Sequence, residues 1–408
     1  MQYKIKLYKN IDKIRFVLFL LAVILYAAFS TPFPRNPGLF ELVVGCLVVI
    51  YIGIKQPFIV FLAKGKNVIP VWLYLIMFFY LIVPIVVSLI NQWQFKDLIR
   101  DYIPLFYMFM PLFVAPILAR SGERNILITM WVSVIAGLIL TMRYFHDVGI
   151  YPWEVGGDLL LDSGLYLLYE PMVLFSVTFL LLYGLRMLSV SWKNAPHSLA
   201  CLFLGGIVIL SFVSTIQRGS IGLVLLVIAL WLLINLRNKN VLLIALVGVL
   251  IIYMGQEYLG SVARIFLEKH EAVGSNNKLS ELFEIISVLL GEGVFGFLFG
   301  IGWGGVYNSP SEIHVAIRFT HSMFTFFLLK TGVLGLLLFC SYFFYVTRLV
   351  LKGIGNNSIG VYASIPPLIY GLLLQPTYKT LGFGLVLSIV FAISIVSDSA
   401  VARGKNIQ

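Results

Sequence analysis

An arginine and a histidine stand three residues apart near the end of the longest polar stretch of the chain, residues 259–332. Arg318 offers a guanidinium that can hold an anion through two parallel hydrogen bonds. His321 offers an imidazole, a side chain that can accept and donate a proton. Together the two side chains could neutralise an anionic group and move a proton beside it. A second interpretation of His321 is a residue at a helix start whose ring bonds a nearby backbone group.

A further arginine, Arg218, lies in a tight turn between two apolar runs, with the sequence STIQRGS over residues 214–220. A charge at the edge of hydrocarbon is costly unless it is paired, so one interpretation is an anion ligand. The other interpretation is an arginine that extends to bond a lipid phosphate.

A carboxylate at the start of an apolar run is the third candidate. Glu170 lies between Tyr169 and Pro171. Proline suits the first turn of a helix and a carboxylate suits the positive end of the helix dipole, so a structural role is sufficient. A catalytic or acceptor-binding role is the alternative.

Metal and nucleotide chemistry have little support in the sequence. No zinc-type spacing of ligands is present, and Cys46, Cys201 and Cys340 all fall in apolar runs, so we expect no metal site and no disulfide. Two glycine patterns, at 291–296 and 300–305, have the spacing of a dinucleotide-binding loop. Neither follows a strand of a βαβ unit, so we expect no nucleotide cofactor and interpret the glycines as sites of backbone flexibility.

The elements that must position these residues are apolar. Of 408 residues, 60% are apolar and 12% are charged, a composition that indicates an all-α polytopic membrane protein. A span needs about 17 apolar residues or more to cross about 30 Å of hydrocarbon. Twelve runs meet this length, at 14–30, 38–54, 68–90, 103–119, 125–145, 170–187, 198–217, 219–236, 240–258, 332–349, 358–375 and 380–397.

The distribution of charge predicts the orientation. With both termini in the cytoplasm, 18 of the 29 basic residues but only 3 of the 18 acidic residues face inward. The net charge of +11 then anchors the chain to anionic membrane lipid, and we expect no nucleic-acid partner. The chain divides into transmembrane residues 1–258, an outward functional loop 259–331, and transmembrane residues 332–408. Within the loop, residues 278–290 predict an amphipathic helix on the bilayer surface.

The ionisable residues near the spans lie at the outer ends of those spans. A transporter or flippase places such groups near the midplane, often in broken helices, and we find no such pattern. A ring of outer charges fits a phosphate headgroup better. Its members are Arg143, Glu170, Arg218, Glu257, Arg318, His321 and Lys330.

Three features in a fixed order resemble the superfamily of O-antigen ligases and O-antigen or exopolysaccharide polymerases, over roughly the second half of the chain. They are the turn at Arg218, a long outer loop in which Lys278 opens an amphipathic helix, and His321 shortly before a Gly-x-x-Gly span at 332–335. The resemblance implies a GT-C-like architecture in a bacterial inner membrane with its site facing the periplasm. It also implies that Arg218, Lys278 and His321 line a cavity for an undecaprenyl-pyrophosphate-linked oligosaccharide.

Two positions depart from the ligase pattern. Lys278 stands where the ligases usually have arginine, and Ser322 stands where asparagine usually follows the histidine. Lysine lacks the bidentate fork of arginine, so we expect Arg264 or Arg318 to supply it.

The resemblance implies a metal-independent glycosyltransferase without a cofactor. Arginines would neutralise the leaving pyrophosphate, and His321 or Glu170 would take a proton from the acceptor hydroxyl. We favour a polymerase over a ligase because two pyrophosphate headgroups require more positive charge, and because Tyr169, Glu170 and Pro171 resemble a motif of exopolysaccharide polymerases. A chain-length regulator protein is a further partner that this assignment implies. The cations available in the loop are Arg264, Lys269, Lys278, Arg318 and Lys330.

Overall fold

The computed structural model describes residues 2–30, 38–53, 69–148, 165–254, 278–308, 316–375 and 377–401, with the side chains of a few helix-end residues left out. These residues are mostly helical, and one pair of two-residue strands, β1 (Tyr307–Asn308) and β2 (Ala316–Ile317), is antiparallel. The helices are α1 Gln2–Phe29, α2 Leu39–Ile52, α3 Val71–Ile90, α4 Phe95–Tyr102, α5 Leu105–Phe109, α6 Pro111–Ser121, α7 Glu123–Val148, α8 Leu165–Leu168, α9 Pro171–Val190, α10 Ala195–Ser214, α11 Arg218–Asn235, α12 Lys239–Met254, α13 Lys278–Gly291, α14 Gly293–Phe299, α15 Met323–Gly355, α16 Ile359–Ile369 and α17 Leu381–Val401.

Eight helical segments among the described residues are long and apolar enough to cross a membrane. Shorter apolar helices, Leu39–Ile52, Lys239–Leu250 and Ile359–Leu374, lie on three further predicted runs. The prediction of an all-α polytopic membrane protein is therefore confirmed. The eight are Val71–Ile90, Phe95–Ser121, Glu123–Asp147, Pro171–Val190, Trp192–Ser214, Arg218–Asn235, Met323–Gly355 and Leu381–Ser399.

The last helix is the most enclosed of these segments. In α17 the apolar side chains from Leu381 to Ala392 are buried almost without exception, because α6, α15 and α16 all pack against it. A helix that is apolar on every side is typical of a protein core or of a membrane span, and this one is enclosed by protein. Its first residue follows directly on a short polar turn, so the enclosed helix fixes the position of that turn.

Polar contacts divide the bundle into two ends. At one end, Lys352 pairs with Asp398, and Arg186 donates to the carbonyl of Asn357. The sequence alternates between the ends from helix to helix, which brings the loop after α3, the start of α9, the turn before α11 and the stretch 278–322 to the opposite end. Every candidate residue that the structure describes lies at or near this second end, called here the loop end.

A break in α15 shapes the loop end. Gly332 has φ 64° and ψ −167°, values that are almost exclusive to glycine, so the helix is interrupted there. Ile301 N donates to the carbonyl of Leu329 at 3.0 Å, and Gly302 N donates to the carbonyl of Lys330 at 3.0 Å. The loop 300–305, called here the glycine loop, thus donates to carbonyls that have no helical donors because the helix is interrupted.

This geometry corrects two interpretations of the sequence. The transporter pattern of charged groups near the midplane, often in broken helices, was not expected from the sequence, yet α15 is broken two residues after Lys330. The glycines at 300–305 also serve close packing. A Cβ on Gly300 would lie 2.4 Å from the carbonyl carbon of Lys330, so a side chain does not fit there.

The predicted amphipathic helix forms as α13, Lys278–Gly291. Glu281, Ile285 and Leu289 are buried, whereas Leu279 and Phe283 are 73% and 69% exposed. Glu281 lies opposite the apolar residues in the sequence pattern, and in the structure its side chain is buried. Its carboxylate turns inward because donors from α15 and the segment before it surround it.

Candidate functional site

His321 and Glu281 form the closest contact between ionisable side chains of the loop end. His321 Nδ1 lies 2.5 Å from Glu281 Oε2, and the backbone N of His321 donates to Glu281 Oε1 at 3.1 Å. The Thr325 hydroxyl donates to the same Oε1 at 3.0 Å. Three donors thus fix a carboxylate that is almost fully buried, which compensates for its desolvation.

This arrangement prepares the imidazole to accept a proton. A carboxylate on Nδ1 holds the proton at that nitrogen and leaves the lone pair of Nε2 available. The same carboxylate stabilises the imidazolium after proton transfer. The side chain of His321 is 21% exposed, so the ring is reachable from outside the protein.

Two aspartates of α4 hold α15 and the segment before it. Asp97 and Asp101 are four residues apart, so both face the same side of this short helix. Arg318 Nη1 lies 2.7 Å from Asp97 Oδ1, and Lys330 Nζ lies 2.7 Å from Asp101 Oδ2. Arg318 is therefore a partly exposed cation that already has a carboxylate partner.

The Lys330 pair is sealed inside the protein. Lys330 is fully buried, and its Nζ also donates to the carbonyl of Gly305 at 2.6 Å. Asp101 accepts a further hydrogen bond from Gly304 N at 2.8 Å. Lys330 therefore joins α15, α4 and the glycine loop, and has a structural role.

Arg218 is the first residue of α11, directly after a constrained turn. Ile216 has φ 54°, and Gln217 is buried, with its side-chain Oε1 accepting a hydrogen bond from the Ser220 hydroxyl. Gly219 lies against Leu374 and Tyr370, where a Cβ would meet Leu374 at 2.6 Å. This turn positions a half-buried Arg218 beside the end of the Ile359–Leu374 segment.

Tyr169 and Glu170 adjoin the same region. The ring of Tyr169 stacks on Tyr370, with centroids 6.1 Å apart. Glu170 is fully buried and accepts from Gly382 N at 3.0 Å and from the Tyr26 hydroxyl at 3.3 Å. These contacts favour the structural interpretation of Glu170, which ties α1, α9 and α17 together.

The chain between α16 and α17 connects the two groups of candidates. At its start Tyr370 contacts Tyr169, and at its end the turn Thr377–Lys379 reaches Phe326 on α15. Lys379 Nζ lies 4.9 Å from the centroid of the Phe326 ring. The sequence analysis did not select this lysine.

Two predicted ligands fall at or beyond the limits of the description. Arg264 lies outside the described residues. Lys278 begins α13, but its side chain is not among the described atoms. Their predicted contacts with substrate stay predictions. Within the described ranges, no three His, Cys, Asp or Glu side chains come together as a metal site would require.

The sequence analysis missed Glu281, Asp97, Asp101 and Lys379. The spacing of the two aspartates on a short helix was an available signal, because residues four apart share a helix face. Glu281 carried no such signal, since 40 residues separate it from His321. Only the tertiary structure brings these two together.

The sequence matches no protein-family model and no curated protein. Function must therefore be inferred from the chemistry of the site.

Proposed function

We propose that this chain is a polymerase that joins undecaprenyl-pyrophosphate-linked oligosaccharide repeat units into O-antigen or exopolysaccharide at the outer face of a bacterial inner membrane. The observation that carries the proposal is the contact of His321 Nδ1 with Glu281 at 2.5 Å, at the end of an apolar bundle that also holds Arg218 and Arg318. A base beside cations is what transfer from a pyrophosphate donor requires.

The proposed topology has twelve spans in a GT-C-like arrangement, with both termini in the cytoplasm. It is supported by the apolar helices at the predicted positions and by their alternation between the two ends of the bundle. The loop end then faces the periplasm. A lipid-linked pyrophosphate would lie at the level of its arginines, where charge is available without crossing the hydrocarbon.

In the proposed reaction, an acceptor hydroxyl forms a bond to the anomeric carbon of the donor sugar, and the bond from that carbon to the pyrophosphate oxygen breaks. The electron pair of the broken bond stays on the pyrophosphate. Nε2 of His321 takes the hydroxyl proton, and Glu281 stabilises the resulting imidazolium. Arg218 neutralises the developing negative charge. The donor is already activated, so no nucleotide is needed.

Fewer cations of the loop are available to substrate than the argument for a polymerase over a ligase assumed. Arg318 and Lys330 are paired with Asp97 and Asp101, so they offer less free charge to a second headgroup than the sequence indicated. A ligase would use the same base and the same donor but would accept lipid A core. The two activities are separated by experiment.

Purified protein should convert an undecaprenyl-pyrophosphate repeat unit into a ladder of longer lipid-linked products. Arg218→Ala and His321→Ala should abolish the ladder, and Arg218→Lys should recover little because lysine lacks the guanidinium fork. Arg237→Ala is the matched control, since Arg237 is exposed at the opposite end of α11 and should be dispensable. Wild-type ladders from both site variants would refute the assignment. Products formed only after lipid A core is added would identify a ligase.

A further inference from the structure

The turn Thr377–Lys379 presents three polar groups without acceptors. Among the described residues, Thr377 Oγ1 and Tyr378 OH are buried and have no hydrogen-bond partner. Within the same part of the chain, Lys379 Nζ forms no ion pair and no hydrogen bond, and its contacts are the rings of Phe326 and Tyr378. Lys379 is half-buried, whereas Thr377 and Tyr378 are almost fully buried. Buried polar groups are nearly always satisfied, so two unsatisfied hydroxyls next to a cation without a counter-ion call for a ligand.

The charges that face Lys379 are mostly positive. Arg100 and Asp101 of α4 face it, as does Lys330 of α15. The carboxylate of Asp101 is already engaged by Lys330 and by Gly304 N. Three cations therefore share one carboxylate, which leaves the cluster with a net positive charge.

The protein bears a cost for the charge at Lys379. Burial, offset in part by Asp101 and reinforced by Lys330 and Arg100, lowers the pKa of Lys379 to about 8. Lys330 and Lys379 also approach the same Phe326 ring, at 5.6 and 4.9 Å from its centroid. One ring offsets little of the repulsion between two ammonium groups, whereas an anion held by Lys379 would offset it directly.

We propose that Lys379 is an anion-binding residue for a phosphate-class ligand, and that this ligand is the pyrophosphate of the lipid-linked substrate. The second half of this statement rests on the proposed function, but the anion site does not. The turn is held between the Tyr370 contact with Tyr169 and the Phe326 contact near His321, so a phosphate here lies between the two groups of site residues. A phospholipid headgroup and free pyrophosphate share the same chemistry, and the experiment separates them.

Binding is measured by thermophoresis on purified full-length protein in a neutral detergent, with three probes: undecaprenyl pyrophosphate, inorganic pyrophosphate, and phosphatidylglycerol in mixed micelles. Lys379→Gln should weaken undecaprenyl pyrophosphate binding by roughly tenfold or more, the effect of one charge-assisted hydrogen bond. Lys379→Arg should stay within about threefold, since it keeps the charge. Lys193→Gln, at an exposed lysine of the opposite end, is the control and should bind like the wild type.

An unchanged affinity of Lys379→Gln for all three probes would overturn the site. Weakening with phosphatidylglycerol alone would overturn the substrate assignment and indicate a bound lipid headgroup. If wild-type protein made no glycan ladder while Lys379→Gln still lost pyrophosphate binding, the proposed function would fail and the anion site would stand. If Lys379→Gln unfolds, the affinities of Lys379→Arg and the wild type for undecaprenyl pyrophosphate are compared at pH 10, and this comparison tests the role of Lys379. Arginine stays charged at that pH, so the variant should bind more tightly than the wild type, and equal binding would refute the role of Lys379.

Discussion

Glu281 and His321 are 40 residues apart in the sequence, and in the structure their side chains meet with Oε2 and Nδ1 separated by 2.5 Å. The carboxylate is buried and the imidazole is partly exposed. The pair therefore has a fixed inner member and an outer member that can meet a substrate. This difference in burial distinguishes the pair from an ion pair between two exposed side chains, which contributes little to the stability of a protein.

Glu281→Gln should lower kcat for transfer by about 100-fold, the scale of general-base catalysis. The amide oxygen can still accept from His321 N and Thr325, but the amide nitrogen would donate to Nδ1. That contact moves the ring proton to Nε2 and removes the base. The substitution should leave KM for the donor nearly unchanged.

Glu284→Gln is the matched control, because Glu284 lies on the same helix and is only half-buried. It should keep wild-type kcat. Equal loss of kcat in the two variants, or a fall in thermal stability that accounts for the loss in Glu281→Gln, would show that Glu281 has only a structural role.

The sequence predicted a helix beginning just after His321 and a helix at α13, but not which side chains of α13 are buried in the protein. Arg318 and His321 were expected just before a helix, and α15 begins at Met323 with Ser322 accepting from Thr325 N as its cap. For α13, periodicity placed Leu279 and Phe283 on the apolar face of a helix lying along the bilayer. The side that packs against the protein is set by docking onto Leu328 and Leu329, which no local pattern encodes.

The break at Gly332 was also outside the reach of local rules. The predicted apolar run at 332–349 begins at this glycine, but that pattern does not distinguish the start of a helix from a break inside a longer one. The positive φ of Gly332 is stable because Leu298 and the glycine loop lie against it, and that contact is tertiary. Length and apolarity are enough to predict spans. The close approach of two glycines that are far apart in the sequence is known only from the three-dimensional structure.

Asp101→Asn should destabilise the protein by about 3–5 kcal/mol, because it leaves Lys330 charged, buried and without its counter-ion. The double variant Asp101→Asn with Lys330→Met should recover most of this loss. The measurement is unfolding in detergent followed by intrinsic fluorescence. Asp398→Asn, which removes the exposed Lys352 partner, is the control and should cost about 0.5 kcal/mol. Similar losses at the two sites would contradict the buried pairing.

Gly332→Ala should destabilise by at least about 1–3 kcal/mol from the backbone conformation alone. The added Cβ would also lie 2.4 Å from the carbonyl of Leu298, so α14 or α15 must shift. Gly222→Ala in α11 is the control. A Cβ there meets nothing within 4 Å, and alanine in a helix should stabilise by about 0.5–1 kcal/mol. Opposite signs at the two glycines are expected in the same unfolding assay, and a neutral Gly332→Ala would argue against the break.

The orientation of the loop end is testable at two asparagines that are both exposed. Asn308 lies on β1 at the loop end, and Asn356 lies at the opposite end, after α15. In a background with Cys46, Cys201 and Cys340 replaced by serine, Asn308→Cys should react in intact spheroplasts with a membrane-impermeant maleimide, and Asn356→Cys should react only after the membrane is opened. The charge distribution is the reason for this expectation. Lys352 precedes the Asn356 loop in the sequence, the carboxyl-terminal residues are also basic, and basic segments stay in the cytoplasm. Because both sites are exposed in the folded protein, a difference in labelling reports the side of the membrane and not burial. Labelling of Asn356→Cys alone in intact spheroplasts would invert the topology and place the His321 pair in the cytoplasm, where a periplasmic polymerase could not use it.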